Sequence, residues 1–273
     1  MNQAKSFNYS VLMSVYYKEK PEFLDLSVNS VMNQTVKPND FVLVLDGPLT
    51  DELYDEINKL KTKYGCLQTV ELKENVGLGK ALSYGIAFTK NNIIMRMDSD
   101  DICLPNRAEI QLPFLEKYDL VGGYITEFDD DPQNLIGVRK TPEHYKDIVK
   151  FAKKRNPFNH PSVMYKKSAI IEAGNYMDLK LMEDYYLWLR FLQINHNVYN
   201  IQRPLVNMRS GVKMRVRRGT KTAKRSIKYL RKYMYQIKFI GLFSYLFGTF
   251  AQLLVLSLPL FLRSFIYKRL LRK

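Results

Sequence analysis

Residues 92–101 read NIIMRMDSDD, a short apolar run that ends in three aspartates and a serine. Ile93, Ile94, Met95 and Met97 suit a strand buried on both faces of a sheet. Carboxylates released at the end of such a strand are costly unless something positive neutralises them. Their hard oxygens suit magnesium or manganese. Such an ion would bridge the two phosphates of a nucleotide and stabilise charge on a leaving group. The alternative is a solvated acidic turn in which Asp101 caps the next helix.

Outward from this stretch, strand and helix patterns alternate. Tyr9–Tyr16, Asp40–Asp46, Leu67–Leu72 and Asn92–Met97 predict four buried strands. Between them Pro21–Gln34, with proline tolerated in the first turn, Asp51–Tyr64 and Gly77–Thr89 carry helical spacing. That rhythm predicts parallel βαβ units and a doubly wound, mostly parallel α/β sheet. Ligands bind such sheets beyond the carboxyl ends of the strands. Those ends carry Tyr16–Glu19, Asp46–Gly47 and Asp98–Asp101, so the candidate chemistry falls on one edge. Farther on, strands are expected at Asp119–Phe128 and Ser162–Tyr165. Helices are expected at Glu143–Lys154, Ile170–Ala173 and Asp184–Gln193.

Several side chains on this frame admit two readings. Glu183 and Asp184 open a helix rich in Tyr, Leu and Trp. They either complement its dipole or supply a general base. Asp46 either closes a turn or accepts a hydrogen bond from a nucleobase N–H. Asn75-Val76-Gly77-Leu78-Gly79-Lys80 opens a helix but lacks the Lys-Ser/Thr of a P-loop, which argues against ATP or GTP hydrolysis. His160, in NPFNHPSVMY, is either structural or catalytic. Cys66 and Cys103 are far apart with no metal-ligand spacing, which fits a reducing compartment. The N-terminus shows no apolar signal core, so export is not expected.

Charge is strongly divided. All 27 acidic side chains precede residue 203, whereas 18 of the 42 basic ones lie in 203–273, and the chain carries a net +15. A basic tail calls for an anionic partner. Within it, residues 239–262 (FIGLFSYLFGTFAQLLVLSLPLFL) carry no charge, with Lys238 before them and Arg263 after. Basic clusters on both sides argue against a single span. A helix or helical hairpin lying in the interface, on anionic lipid, suits the pattern better. Packing against the domain core and a true span are the other readings. Nucleic acid is disfavoured, because the basic residues flank an oily segment and do not interleave with stacking aromatics.

Taken together, SVLMSVYYKE (residues 10–19), VLVLDGP (42–48), NVGLGKALSYGI (75–86), RMDSDD (96–101) and MEDYYLWLR (182–190) resemble the motifs of glycosyltransferase family 2. These are inverting enzymes of the GT-A fold, and the resemblance is to bacterial polysaccharide and lipopolysaccharide sugar transferases of the amylovoran-biosynthesis type. It covers roughly residues 8–210. It implies a glycosyltransferase domain over 1–210, and the charge and apolar run beyond it give a basic, helical, membrane-associating region over 211–273. It further implies that Asp98 and Asp100 hold Mn2+ or Mg2+, and that Asp184, or else Glu183, is the catalytic base. Tyr16, Glu19, Asp46, Asn75, Gly77, Lys80, Asp98 and Ser99 would bind the nucleotide-sugar, with His160 on the acceptor side. The partners implied are a nucleotide-sugar donor, with UDP favoured because an aspartate suits uracil N3–H, a glycan or lipid-linked acceptor, and an anionic membrane surface contacted through residues 213–273. The location implied is the cytoplasmic face of the bacterial plasma membrane. A sugar-phosphate nucleotidyltransferase should open with a glycine-rich, arginine-containing loop, which SVYYKEKPE is not. An inactive scaffold has no need to retain the carboxylates at 98, 100, 183 and 184.

Overall fold

The computed structural model describes residues 7–129, 131–210, 220–259 and 262. The four apolar runs of the first hundred residues become β1 (Ser10–Val15), β2 (Asp40–Leu45), β3 (Leu67–Glu71) and β4 (Ile93–Arg96). They pair in parallel in the spatial order β3–β2–β1–β4. Alternate residues of each strand face opposite sides of the sheet, and both sides are covered. Val11, Met13 and Val15 pack with α1 (Pro21–Met32) and α2 (Asp51–Lys63). Leu12, Val42 and Val44 pack with α3 (Leu78–Ile86). The result is the expected α/β sheet with helices on both faces.

The second half extends this sheet with mixed pairing. β5 (Ile102–Cys103), β6 (Leu120–Phe128), β7 (Leu135–Arg139), β8 (Met164–Lys166) and β9 (Val198–Arg209) join it. β8 runs antiparallel to both β4 and β6, whereas the long β6–β9 ladder is parallel. The remaining helices are α4 (Arg107–Gln111), α5 (Tyr145–Ala152), α6 (Lys167–Glu172), α7 (Glu183–Gln193), α8 (Lys221–Gln236) and α9 (Leu242–Ser257).

The C-terminal hairpin packs on the body that precedes it. Leu230, Met234 and Ile240 lie in the same core as Trp188, Leu82 and Leu12. Within the uncharged run 239–262, α9 covers Leu242–Ser257. At 1.5 Å per residue that is about 24 Å, short of the ~30 Å hydrocarbon layer. No helix among the described residues is long and apolar enough to cross a membrane. α9 folds back on α8 through a turn in which Lys238 takes φ 57°, and Tyr235 stacks on Tyr245 at 5.2 Å. Residues 213–219, 260, 261 and 263–273 of the expected membrane-binding region lie outside the described residues.

The seat of α3 fixes the distance between sheet and site. A Cβ at Gly85 would lie 2.4 Å from Val44 Cγ2 and 2.7 Å from Leu12 Cδ1. Gly85→Ala therefore overpacks this contact and lowers unfolding stability by about 1–3 kcal/mol, read as a lower denaturant midpoint. An unchanged midpoint would show that the helix sits farther from the sheet.

Candidate active site at the carboxyl edge of the sheet

The two edges of the parallel sheet treat carboxylates differently. At the amino edge Asp40 is fully buried and fully partnered. It accepts from Ser10 Oγ (2.6 Å), Gln68 Nε2 (2.9 Å) and the Lys90 amide (2.9 Å). At the carboxyl edge, the loop after β4 crowds three aspartates together. Asp100 is pushed up to about 7 by burial and by the neighbouring charges of Asp98 and Glu19. Asp101 is driven well above the usual carboxylate range by burial and by Asp100. Its Oδ1 accepts from the Arg209 amide at 2.8 Å, while its Oδ2 is buried without a hydrogen bond.

The positive charge that the sequence demands is supplied first by the chain itself. Arg96, the last residue of β4 and 1% exposed, donates from Nη1 to Asp98 Oδ2 at 2.7 Å and from Nη2 to Asp98 Oδ1. Arg209, at the end of β9, donates from Nε to the Asp100 carbonyl at 3.2 Å and lies 3.7 Å from the centre of the Phe23 ring. Asp98 is thus engaged at both oxygens by Arg96. Among the described residues no three His, Cys, Asp or Glu side chains gather as metal ligands. Mg2+ or Mn2+ commonly takes only one or two carboxylates together with substrate phosphates. Asp100, crowded by like charges that a cation would relieve, fits that role.

The remaining predicted residues gather unevenly around this loop. Glu19 accepts from Ser99 Oγ at 2.6 Å, which ties the β1 loop to the acidic loop. Tyr16 and the exposed Tyr17 meet edge-to-face beside it. Asp46 faces inward. Its oxygens accept from the amides of Val76 (2.8 Å) and Gly77 (3.1 Å) and from Asn75 Nδ2 (3.0 Å), and it is 3% exposed. It shapes the loop that opens α3. Gly47 makes this possible, since a Cβ there would lie 2.5 Å from the Asn75 nitrogen and its φ is +84°. Lys80 lies farther out, paired with Asp178 at 3.1 Å.

The first turns of α3 and α7 touch, because Gly79 leaves room for Glu183; a Cβ there would be 3.0 Å from Glu183 Cβ. Asp184 accepts from Asn156 Nδ2 (2.6 Å) through one oxygen and from the Tyr185 amide (2.7 Å) through the other. Burial raises its pKa, and those two hydrogen bonds with the charge of Arg96 hold the rise in check. His160 does not face an open surface. Its Nε2 meets the Tyr176 hydroxyl at 2.9 Å, its ring lies against Trp188, and burial with the nearby Arg96 keeps it neutral.

Arg96, Arg209 and Asn156 escape sequence reasoning. An arginine inside a buried strand two residues before an aspartate was a usable signal, since i and i+2 share a strand face. Arg209 and Asn156 reach their partners from remote loops and strand ends and leave no such trace.

Two acidic motifs thus lie within reach of one buried guanidinium, at the edge where α/β sheets of this kind bind ligands. The chain belongs to glycosyl transferase family 2, whose family model matches residues 10–174. It is 36% identical to the amylovoran biosynthesis glycosyltransferase AmsE of Erwinia amylovora over 96% of this chain and 98% of that one. It is 35% identical to the UDP-Gal:alpha-D-GlcNAc-diphosphoundecaprenol beta-1,3-galactosyltransferase of Escherichia coli, covering 97% of each. Among solved structures, TarS 1-349 of S. aureus superposes with a TM-score of 0.66 at 15% identity, over 96% of this chain and 74% of that one. The same TarS fragment solved with UDP-GlcNAc gives 0.62 at 15% identity, over 82% and 66%.

The crowding at Asp100 has a measurable consequence. Asp100→Asn removes one of the repelling charges, so the metal-free variant melts higher than wild type at neutral pH, by about 2–4 °C for each kcal/mol relieved, while it loses sugar transfer. A lower melting temperature would mean that Asp100 is stabilised where it stands.

Proposed function

We propose that the chain is an inverting glycosyltransferase that moves one sugar from a UDP-sugar to a hydroxyl of a lipid-linked glycan in cell-surface polysaccharide synthesis. The observation that carries this reading is Asp184, a carboxylate held at both oxygens beside the contact of α3 with α7 and within the field of Arg96, the partner of Asp98. The inferred donor and acceptor classes agree with the names of relatives that match along nearly the whole chain.

In this reading Asp184 takes the proton of the acceptor hydroxyl as its oxygen bonds to C1 of the sugar. The bond from C1 to the diphosphate breaks in the same displacement, and the configuration inverts. Glu183, packed at the start of α3, is the alternative base. Tyr16, Glu19 and Ser99 line the nucleoside end, and Asn75, Gly77 and Lys80 belong to the helix start facing the diphosphate. Asp46 acts through the loop it shapes. Mg2+ or Mn2+ held by Asp100 would stabilise the charge on the departing UDP. His160, stacked beneath α7, supports the acceptor side through its packing. UDP binding measured by calorimetry should tighten with manganese, and Asp184→Asn should keep that binding while losing about 10²–10⁴ of the transfer rate. No binding of UDP in either condition would overturn the reading.

The C-terminal hairpin supplies the membrane contact in this proposal. Phe243, Leu246, Phe247, Phe250 and Leu254 are exposed at helical spacing along α9, at 54–73%. Lys221, Arg225, Lys228 and Lys232 are exposed on α8. An exposed apolar stripe near basic residues suits an anionic lipid surface. The two cysteines are free, in keeping with the cytoplasmic face. Flotation with vesicles containing phosphatidylglycerol should be lost in the triple variant Phe243→Ser, Phe247→Ser, Phe250→Ser, and flotation equal to wild type would place the anchor elsewhere.

A further inference from the structure

α5 ends at Ala152, and the last carbonyls of a helix have no partner within it. Here three consecutive carbonyls are taken by side chains from three other helices. Tyr185 of α7 donates its hydroxyl to the Ala152 carbonyl at 2.5 Å. Arg231 of α8 donates from Nη1 to the Lys153 carbonyl at 2.8 Å. Gln252 of α9 donates from Nε2 to the Lys154 carbonyl at 3.1 Å. Arg231 is itself 3% exposed, and its Nη2 reaches the Ser244 carbonyl, which locks α8 to α9 at the same point. Gly248 leaves room for that guanidinium, since a Cβ would sit against Arg231 Nη2.

Two residues beyond these carbonyls stands Asn156. Its Oδ1 accepts from the Phe158 amide at 3.3 Å, which fixes the amide orientation and turns Nδ2 toward Asp184 Oδ2, 2.6 Å away. The C-terminal hairpin therefore has a short, continuous connection to Asp184: α8 and α9, the carbonyls of Lys153 and Lys154, Asn156, then the carboxylate. A charged acceptor makes the last bond a strong one, and small displacements of a reacting group are expensive in rate.

We propose that Asn156 is the positioning residue for the proton-accepting carboxylate of Asp184, and that the C-terminal hairpin sets where Asn156 stands by holding the carbonyls of Lys153 and Lys154. This rests on Asp184 being the base. The part of the chain that presents an apolar stripe to its surroundings is thereby also part of the catalytic scaffold. Besides Asn156 and the Tyr185 amide, the groups facing Asp184 are Arg96 of β4, Arg139 of β7 and the buried hydroxyls of Tyr176 and Tyr185. The two arginines and both hydrogen bonds favour the charged carboxylate against burial.

The test uses the full chain with UDP-galactose and a GlcNAc-diphospholipid acceptor. Asn156→Ala should lower kcat by about 10–100-fold, with the KM for donor and the affinity for UDP unchanged. Because the lost hydrogen bond favoured the charged form, the acidic limb of its kcat profile should move to higher pH, and part of the rate should return as pH is raised. Gln252→Ala, at a partly exposed position that folding tolerates, should lower kcat by about 3–10-fold in the same way. It should also speed amide hydrogen exchange in residues 153–158 and at Tyr185, a measurement that needs no acceptor. Wild-type kcat and an unmoved limb in Asn156→Ala would overturn the positioning role, and unchanged exchange in Gln252→Ala would overturn the link to the hairpin. If Asp184→Asn remains active, the base assignment fails instead, so the two failures are distinguishable.

Discussion

A guanidinium that cannot lose its proton is buried at the end of β4, and the site is arranged around that fact. An arginine stays charged under any condition in which the protein is folded, and a buried charge is tolerated only with counter-charge and good hydrogen bonds. Arg96 obtains them from Asp98, and its field reaches Asp101 and Asp184. Its Nε is buried with no hydrogen bond, so the pair is held by its surroundings as much as by its own contacts. A second buried guanidinium provides part of that support. Arg107 of α4 donates from Nη2 to the carbonyls of Arg96 and Val163, both at 3.0 Å, and from Nε to Gln111. One arginine thus fixes the backbone from which the other projects.

The contrast between the two sheet edges shows what this arrangement is for. Asp40 illustrates a carboxylate used for stability, with each charge-bearing oxygen answered by a donor. Asp100 and Asp101 are left crowded and only partly answered. Selection for stability alone removes such crowding, and strained polar clusters of this kind belong to functional sites. The arginines lower the cost of assembling the acidic loop without cancelling it. The residual repulsion is what an incoming cation or a donor complex can relieve on binding.

How far the sequence discloses this depends on the range of the interaction. The four parallel strands and three intervening helices were legible, because continuous apolar runs and helical spacing are local signals. Glu19 and Ser99 meet at the carboxyl edge, whereas Lys80 and His160 stand away from it. β9 was missed because VYNIQRPLVNMR mixes polar residues with Pro204, and the β6–β9 register shifts around Tyr124, the partner of that proline. The partners of Asp98 and Asp184 were missed for different reasons. Arg96 is near in sequence but was read as part of an apolar strand. Asn156 is 28 positions from Asp184, and only the folded chain joins them. Asp46 turns its oxygens toward its own loop, and in sequence a carboxylate before glycine looks alike whether it does so or faces a ligand.

The C-terminal hairpin draws these threads together. Basic and oily composition marks residues 211–273 as a tail, yet Leu230, Met234 and Ile240 are inseparable from the core around Trp188. Burial of three such side chains is worth several kcal/mol, at roughly 1.5–3 kcal/mol each, so the hairpin cannot swing freely on the body it is attached to. Its exposed phenylalanines are consequently held at a fixed bearing to the loop 153–156 and to α7. Whatever surface receives that stripe also orients the carboxyl edge of the sheet. An enzyme acting on a lipid-linked acceptor gains from such rigidity, because the acceptor hydroxyl arrives at a height above the bilayer set by its own linker. A flexible tether would retain the protein at the membrane but leave that height unmatched. If the proposed membrane contact holds, a hairpin embedded in the core would convert attachment into alignment, since the same hairpin packs against the loop whose Asn156 holds Asp184.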